Sequence, residues 1–316
     1  MCLLSKEDFF VKKILNINHA LLERNHMDYQ ITLPPTQQTT TVRELLETQW
    51  LVPRKVRHFL RTRKNVWVND QLALFHQEVR AGDRITLRLE ADDYSYQPVA
   101  LGQASRVSVL FEDEHLLLVN KPAGIKTHPN QPNEDDTLLN DIKAYLAPKQ
   151  QQAYVVHRLD KETSGVILFA KNPLVLPILG RLLEQKKIYR TYQAIVTGKL
   201  TKDCTIRKKI GRDRHDRRKR VIDERHGQQA VTHVQVIQVH SQTTNITCQL
   251  ETGRTHQIRV HLASIGHPII GDPLYQTKPA ERLFLHAYQM HFIHPFTQQE
   301  MTIATPDSLF GCNLVN

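Results

Sequence analysis

Cysteine is scarce and unpatterned in this 316-residue chain: Cys2, Cys204, Cys248 and Cys312 share no paired spacing. Neither a disulfide framework nor a cysteine-ligated zinc site is supported, and the four are read as reduced thiols. No run approaches the roughly 18 apolar residues needed to span a bilayer. Lys6, Glu7 and Asp8 follow Leu3 and Leu4 too soon for a signal-peptide core, so a cytoplasmic protein is expected. Also missing are the GxxxxGK phosphate loop, the GxGxxG dinucleotide fingerprint, the HExxH metal pair and the GxSxG nucleophile elbow. The 17 histidines show spacings, such as His256 to His261 or His286 to His291, that match no ligand pattern, and no metal site is expected. No repeat with a period of 20 to 50 residues is evident.

What is present is positive charge, unevenly placed. Lys plus Arg number 42 against 32 Asp plus Glu, a formal charge of +10. The window Arg54 to Lys64 carries six basic residues and no acid; Arg207 to Arg220 carries nine against Asp213 and Asp216. Outside these two windows the chain is mildly acidic. A basic run is commonly just a solvated face, but two of them on an acidic remainder point to a polyanion partner, because each neutralised phosphate releases condensed counterions. With 40% hydrophobic residues the chain has material for a normal core, and its length suggests two domains.

Residues 1–26 show no clear fit to the segments after them, and Met27 is a candidate alternative start. Residues 1–40 are taken as an N-terminal extension. From Thr41 the text reads as helix, Pro53 turn, basic helix, short strand, turn and strand: Val42, Leu45 and Leu46, then Val56, Phe59 and Leu60, recur at helical spacing, and Ile85, Leu87 and Leu89 alternate. A compact module over 41–90 fits. Residues 91–104 mix Gly, Pro and polar residues without period and read as a linker. In the larger domain, 105–316, strands are expected at Val107, Val109 and Leu116 to Val119. Helices are expected over Thr137 to Ala147 and Pro173 to Lys187, and an alternating strand at NITCQLE. The strands lack a regular βαβ rhythm, so the fold class is α+β with a largely antiparallel mixed sheet.

Polar density concentrates in HRLDKETSG (157–165), KIYRTYQAIVTG (187–198) and LETGRTHQIRVHLASIGHPIIGDPLY (250–275). Asp160 sits at the entry to an apolar strand, Val166 to Phe169. It is either a turn residue capping local amides or a functional carboxylate. Glu162, two residues on, is no obvious partner for a hydrolase acid pair. A lone carboxylate acting as nucleophile or base needs a cation to orient it, and Arg254 is the candidate.

These segments together resemble the RluA-type family of RNA pseudouridine synthases. HRLDKETSG is similar to that family's signature, and LLLVNKPAGIKTHP (116–129), IYRTYQAIVTG (188–198) and LETGRTHQIRVHLASIGHPIIGDPLY are similar to its other motifs, in the same order, covering most of 105–290. Residues 41–90 resemble, more loosely, the small RNA-binding module that many members carry ahead of the catalytic domain. The resemblance implies a uridine isomerase that breaks the C1′–N1 bond, turns the uracil and joins C5 to C1′. Asp160 would be the catalytic carboxylate, attacking base or sugar or removing a sugar proton. Tyr192 would stack on the flipped base and assist deprotonation at C5, with Tyr189 as the rival position. Arg254 would pair with Asp160, and Ile258 would wall the uracil pocket unless it is only a core strand residue. Arg158 would contact RNA or fill the gap left by the flipped nucleotide; His157 is functional or structural. Lys121 and Pro122 would form the site floor or a plain turn.

The implied partner is RNA, large-subunit rRNA or tRNA, with no cofactor, since isomerisation needs no redox carrier. RNA shape would be read by the module, through residues such as Arg57 and Arg61, and by the 207–220 loop, through Arg217, Arg218 and Arg220. A monomer is the simpler expectation. The rival readings are a non-catalytic RNA-binding factor, for which the basic runs suffice, and a phosphodiesterase or glycosidase, which would need a metal cluster or paired acids.

Overall fold

Ile85, Leu87 and Leu89 alternate as a half-buried strand requires, and all three are buried. In the computed structural model, which describes residues 26–94, 99–131, 133–276, 280–306 and 308–311, they lie on the central strand of a small sheet. Its elements run β1 (His26–Thr32), β2 (Thr40–Thr41), a helical stretch over 42–49, α1 (Arg54–Thr62), β3 (Val66–Val68), β4 (Gln71–Leu72), β5 (Glu78–Val79) and β6 (Arg84–Glu90). The sheet order is β1-β6-β3-β4, all antiparallel. Thr41 and Glu44 close a capping box that starts the 42–49 stretch. Asn69 and Asp70, both at positive φ, make the two-residue turn between β3 and β4.

Two expected boundaries shift. β1 pairs with β6 along its whole length, from His26 opposite Glu90 to Thr32 opposite Arg84, so the module begins by residue 26 and not at 41. The overlooked signal was the alternation of Tyr29, Ile31 and Leu33, all buried. Met27 lies in β1 opposite Leu89, while the rest of the expected extension, 1–25, lies outside the described residues. The linker is also less free than its composition suggests. Gly102 N donates to Asn140 O (2.9 Å), Gln103 N to Asp141 Oδ1 (2.7 Å), and Asn140 Nδ2 to Ala100 O (2.8 Å). A side chain at Gly102 would collide with Asp141, which explains glycine there.

The larger domain continues with β7 (Val109–Glu112), β8 (Leu116–Lys121), α2 (Leu138–Leu146), β9 (Tyr154–Val155), β10 (Ser164–Ala170), α3 (Val175–Glu184), β11 (Ile188–Thr197) and β12 (Cys204–Arg207). It ends with β13 (Ile210–Arg212), β14 (Arg220–Ile222), β15 (Val231–Val239), β16 (Thr243–Leu250), α4 (Gln257–Ala263), β17 (Leu285–Ile293) and β18 (Glu300–Ala304). Ten strands form one sheet in the order β12-β15-β16-β11-β17-β10-β8-β7, with β9 on β10 and β18 on β17. Every pairing is antiparallel except β10 with β17. The α+β expectation with a largely antiparallel mixed sheet therefore holds.

Strand β10 is buried throughout, which is why VILF reads as a continuous apolar run. Leu118, Val166 and Leu168 face one core, Leu117, Val119, Ile167 and Phe169 the other. The first core is shared with the N-terminal module: Trp50 meets Phe296 edge to face at 5.0 Å, and Arg181 Nη1 donates to Leu51 O (3.2 Å). The module is thus packed against the sheet of the larger domain.

Candidate active site

The loop 157–163 delivers Asp160 to the edge of the sheet just before β10. Three contacts hold that loop. Thr127 Oγ1 donates to Leu159 O (3.0 Å), Gly124 N donates to Lys161 O (2.9 Å), and the Lys121 ammonium donates to the carbonyls of Pro122, Ile125 and Lys161 at 2.8–2.9 Å. Lys121 is fully buried. Burial pulls its pKa down to about 7, against the opposing pull of Glu162 and Asp160. It is not among the residues that line the cavity; it spends its three donors on backbone carbonyls and is a brace for the Asp160 loop. The strand that follows carries Gly165 as its second residue, whose φ of +115° and approach to the Ala287 backbone leave no room for a Cβ.

Asp160 opens onto a cavity of about 200 Å³ and is the only carboxylate among the described residues that line it. Tyr192 from β11, Leu250 from β16, Ile258 from α4 and Leu285 from β17 supply apolar wall, and Arg158, Arg190 and Arg254 supply positive charge. Tyr192 is buried, and burial, partly offset by Arg190, raises its hydroxyl above the ordinary phenol value. Ile258 is buried in the wall, on a helix and not on a strand. Tyr189 is exposed, lines a separate groove between module and sheet, and does not reach this cavity, so it is neither core nor rival to Tyr192. Arg158 is exposed on the rim of the cavity.

The expected pairing of Arg254 with Asp160 is not found. Arg254 lines the cavity, but its Nε donates to Gln229 O (3.1 Å). The partner is Arg259, whose Nη1 lies 3.3 Å from Asp160 Oδ2. Arg259 and Arg254 lie in the same phrase, GRTHQIR, but Arg254 precedes the helix on an exposed turn. Arg259 sits within α4, one residue past Ile258, and is buried. Its remaining fork grips Asp272 through Nε–Oδ2 (2.8 Å) and Nη2–Oδ1 (2.7 Å). Burial opposes its charge, but the Asp272 and then the Asp160 carboxylate hold the guanidinium above its ordinary value.

His256 and Tyr275 also belong to the site and were missed by sequence reasoning. His256 Nε2 lies 3.8 Å from Asp160 Oδ2, and Nδ1 lies 3.0 Å from the Tyr275 hydroxyl, which accepts from Arg220 N (2.8 Å). The arrangement that satisfies each group has Tyr275 donate to Nδ1, leaving the imidazole proton on Nε2, towards Asp160. Burial lowers the His256 pKa, with Asp160 opposing and Arg259 and Arg220 reinforcing, so the neutral ring is favoured. His256 has φ +57°, a left-handed conformation uncommon outside glycine, which turns the chain into α4. His157 is a structural group: its Nε2 accepts from Leu168 N (3.2 Å), and burial together with Arg190 pushes it down to about 3.

The remaining expected RNA contacts divide. Arg57 is committed internally, to Val52 O and to Glu47, each at 2.7 Å, and serves as a brace. Arg61 stays exposed on α1. The 207–220 loop is a hairpin, β13 paired with β14. Arg217 and Arg218 lie at its tip, with Arg218 engaged by Asp216, while Arg220 turns back towards the site.

Residues 115–264 match the family model described as RNA pseudouridylate synthase, and residues 29–85 match the RluD ribosomal pseudouridine synthase N-terminal domain. A Bacillus subtilis (strain 168) protein, "Uncharacterized RNA pseudouridine synthase YhcT", is 43% identical over 251 residues, covering 77% of this chain and 82% of that one. The "Ribosomal large subunit pseudouridine synthase D" of Nitrosomonas europaea is 39% identical over 259 residues, 77% of this chain and 74% of its own. Among solved structures, "Human RNA Pseudouridylate Synthase Domain Containing 1" superposes with a TM-score of 0.56 at 25% identity, over 67% of this chain and 86% of that one. Among the described residues no helix is long and apolar enough to cross a membrane, and no cluster of three metal-ligating side chains occurs.

Proposed function

Since the chain belongs to the RNA pseudouridylate synthase family, we propose that it converts specific uridines to pseudouridine in large-subunit rRNA, with Asp160 as the catalytic carboxylate and no cofactor. The observation that carries this reading is Asp160 itself, a single carboxylate among described lining residues that are otherwise apolar, neutral polar or cationic, gripped by a buried arginine. A glycosidase would require a second acid converging on the substrate. Glu162 does not line the cavity.

In the proposed reaction uridine is flipped into the cavity and its ring lies against Tyr192, Ile258 and Leu285. The C1′–N1 bond breaks, either by attack of Asp160 on the sugar or after it removes a sugar proton. The freed uracil turns, C5 bonds to C1′, and the C5 proton is lost while N1 is protonated. The products balance without an oxidant or external nucleophile. Tyr192, whose hydroxyl burial keeps protonated, holds the ring against the cavity wall, and the C5 proton passes to the Asp160 carboxylate or to water. Arg259 orients Asp160 through the contact of its Nη1 with Oδ2. The rRNA assignment draws on relatives named as large-subunit enzymes and on the matching N-terminal module; tRNA is the alternative, and a cytoplasmic location follows from either.

The test is pseudouridine mapping, by carbodiimide modification and primer extension, of rRNA and tRNA from cells lacking the protein and from cells restored with wild type or Asp160→Asn. A signal lost at defined uridines and restored by wild type alone is expected. Restoration by Asp160→Asn would overturn the catalytic assignment, and loss confined to tRNA would overturn the substrate.

A further inference from the structure

A second cavity, of about 310 Å³, adjoins the first with Arg254 as a common wall. Arg212 from β13, Arg220 from β14, His226 and Arg254 line it together with the polar side chains of Gln228 and Thr255. No carboxylate is among the described residues lining it. Of the acids in the neighbouring turns, Asp216 accepts from the Arg218 guanidinium and backbone, and Asp223 accepts through Oδ1 from the backbone N–H groups of Arg225 and His226 while its Oδ2 lies against Gly211.

Two of the three arginines, Arg254 and Arg220, are fixed from behind and open in front. Arg254 is anchored through Nε on Gln229 O, and its two terminal nitrogens have no partner among the described residues. Arg220 is anchored through Nη1 on the carbonyls of Arg217 and Lys219. Arg212 is exposed and has no polar partner among the described residues. Planar guanidinium forks held in this manner suit a tetrahedral oxyanion, to which they donate paired hydrogen bonds.

We propose that this second cavity is a phosphodiester subsite that takes the RNA backbone phosphate next to the nucleotide whose base enters the first cavity. The location of that nucleotide rests on reading the first cavity as the uridine site. Arg254, placed between the two, faces the sugar-phosphate backbone and not Asp160. This moves the phosphate contacts of the basic hairpin from Arg217 and Arg218 at its tip to Arg212 and Arg220 at its base. Arg220 also ties the subsite to catalysis, since its backbone N–H meets Tyr275, and Tyr275 meets His256 beside Asp160.

The experiment has a binding arm and a mapping arm, both on the full-length protein. In the first, Kd for large-subunit rRNA transcript is measured across a salt series for wild type, Arg212→Gln and Arg254→Gln. Both residues are exposed, so folding is expected to survive, and circular dichroism checks this. Each substitution is expected to raise Kd about tenfold, the loss of one charge-assisted contact, and to flatten the log–log salt slope by about 0.7–0.9. An unchanged slope in both variants overturns the subsite.

In the second arm, a stem-loop carrying a uridine that wild type converts is given one neutral methylphosphonate linkage at a time. One linkage beside that uridine should weaken wild-type binding and leave Arg212→Gln indifferent. Equal sensitivity of both proteins at every linkage overturns the proposal. The binding arm is independent of turnover, so normal Arg212 and Arg254 effects without any uridine conversion would count against the isomerase reading and leave the anion site standing.

Discussion

Arg259 Nη1 stands 3.3 Å from Asp160 Oδ2 while the rest of its guanidinium is locked on Asp272. The Asp160 carboxylate is thus held by a cation whose own position is set by a second, buried carboxylate. Lysine keeps the charge but cannot serve both acids with a fixed fork. Arg259→Lys should therefore lower the single-turnover rate at saturating RNA at least about tenfold, an activation cost of about 1.4 kcal/mol. Release of tritium from C5-labelled uridine measures it. Arg259→Met should also unfold more readily, by about 3–5 kcal/mol, because it strands Asp272 as a buried unpaired charge. Wild-type rates in Arg259→Lys would refute the positioning role.

Tyr275 links the basic hairpin to the imidazole beside Asp160, so Tyr275→Phe should act on chemistry more than on RNA affinity. The variant removes the acceptor for Arg220 N–H and the donor to His256 Nδ1. Loss of about 1–2 kcal/mol in stability is expected for the orphaned groups. The specific readout is nitrogen NMR of His256: wild type should show the proton on Nε2, and Tyr275→Phe should show a mixture of tautomers. An identical tautomer in both proteins would mean that Tyr275 does not set it.

Buried histidines give the protein an acid limb to its stability. His115 is pushed down to about 4, chiefly by burial, and His157 to about 3 by burial and Arg190. Between pH 6.5 and those values the unfolded chain binds protons that the native state refuses, so stability falls as pH falls through that window. Between pH 6.5 and 5 most carboxylates are still ionised, so this part of the decline belongs to histidine. The melting temperature should be lower at pH 5 than at pH 6.5, and His115→Gln should flatten that difference.

Much of the site was legible because its residues sit in contiguous phrases. Asp160, Tyr192 and Ile258 fall where HRLD, the TYQA strand and HQIR place them. What sequence could not decide was which arginine of GRTHQIR turns inward, because that depends on where α4 begins. The left-handed His256 starts the helix, leaves Arg254 outside it and sends Arg259 into the interior. Asp272 and Tyr275 were illegible for a different reason. Their roles arise from close approach of GDPLY to a helix a dozen residues earlier, and GDPLY alone reads as a turn. The module boundary was missed because β1 finds its partner, β6, only at the far end of the module.

The shared core between module and catalytic domain predicts one unfolding unit where the sequence suggested two joined by a linker. Trp50 is almost fully buried against Phe296, and its cluster continues into Leu174, Ile178 and Leu182 of the larger domain. Docked this way, the basic face of α1 keeps a fixed orientation relative to the Asp160 cavity. Trp50→Ala opens a cavity in the common core and should cost about 3–5 kcal/mol. It should lower the single melting transition seen by both tryptophan fluorescence and far-ultraviolet circular dichroism. Two separated transitions in the wild-type protein, with Trp50→Ala moving just one, would show that the module folds and docks independently.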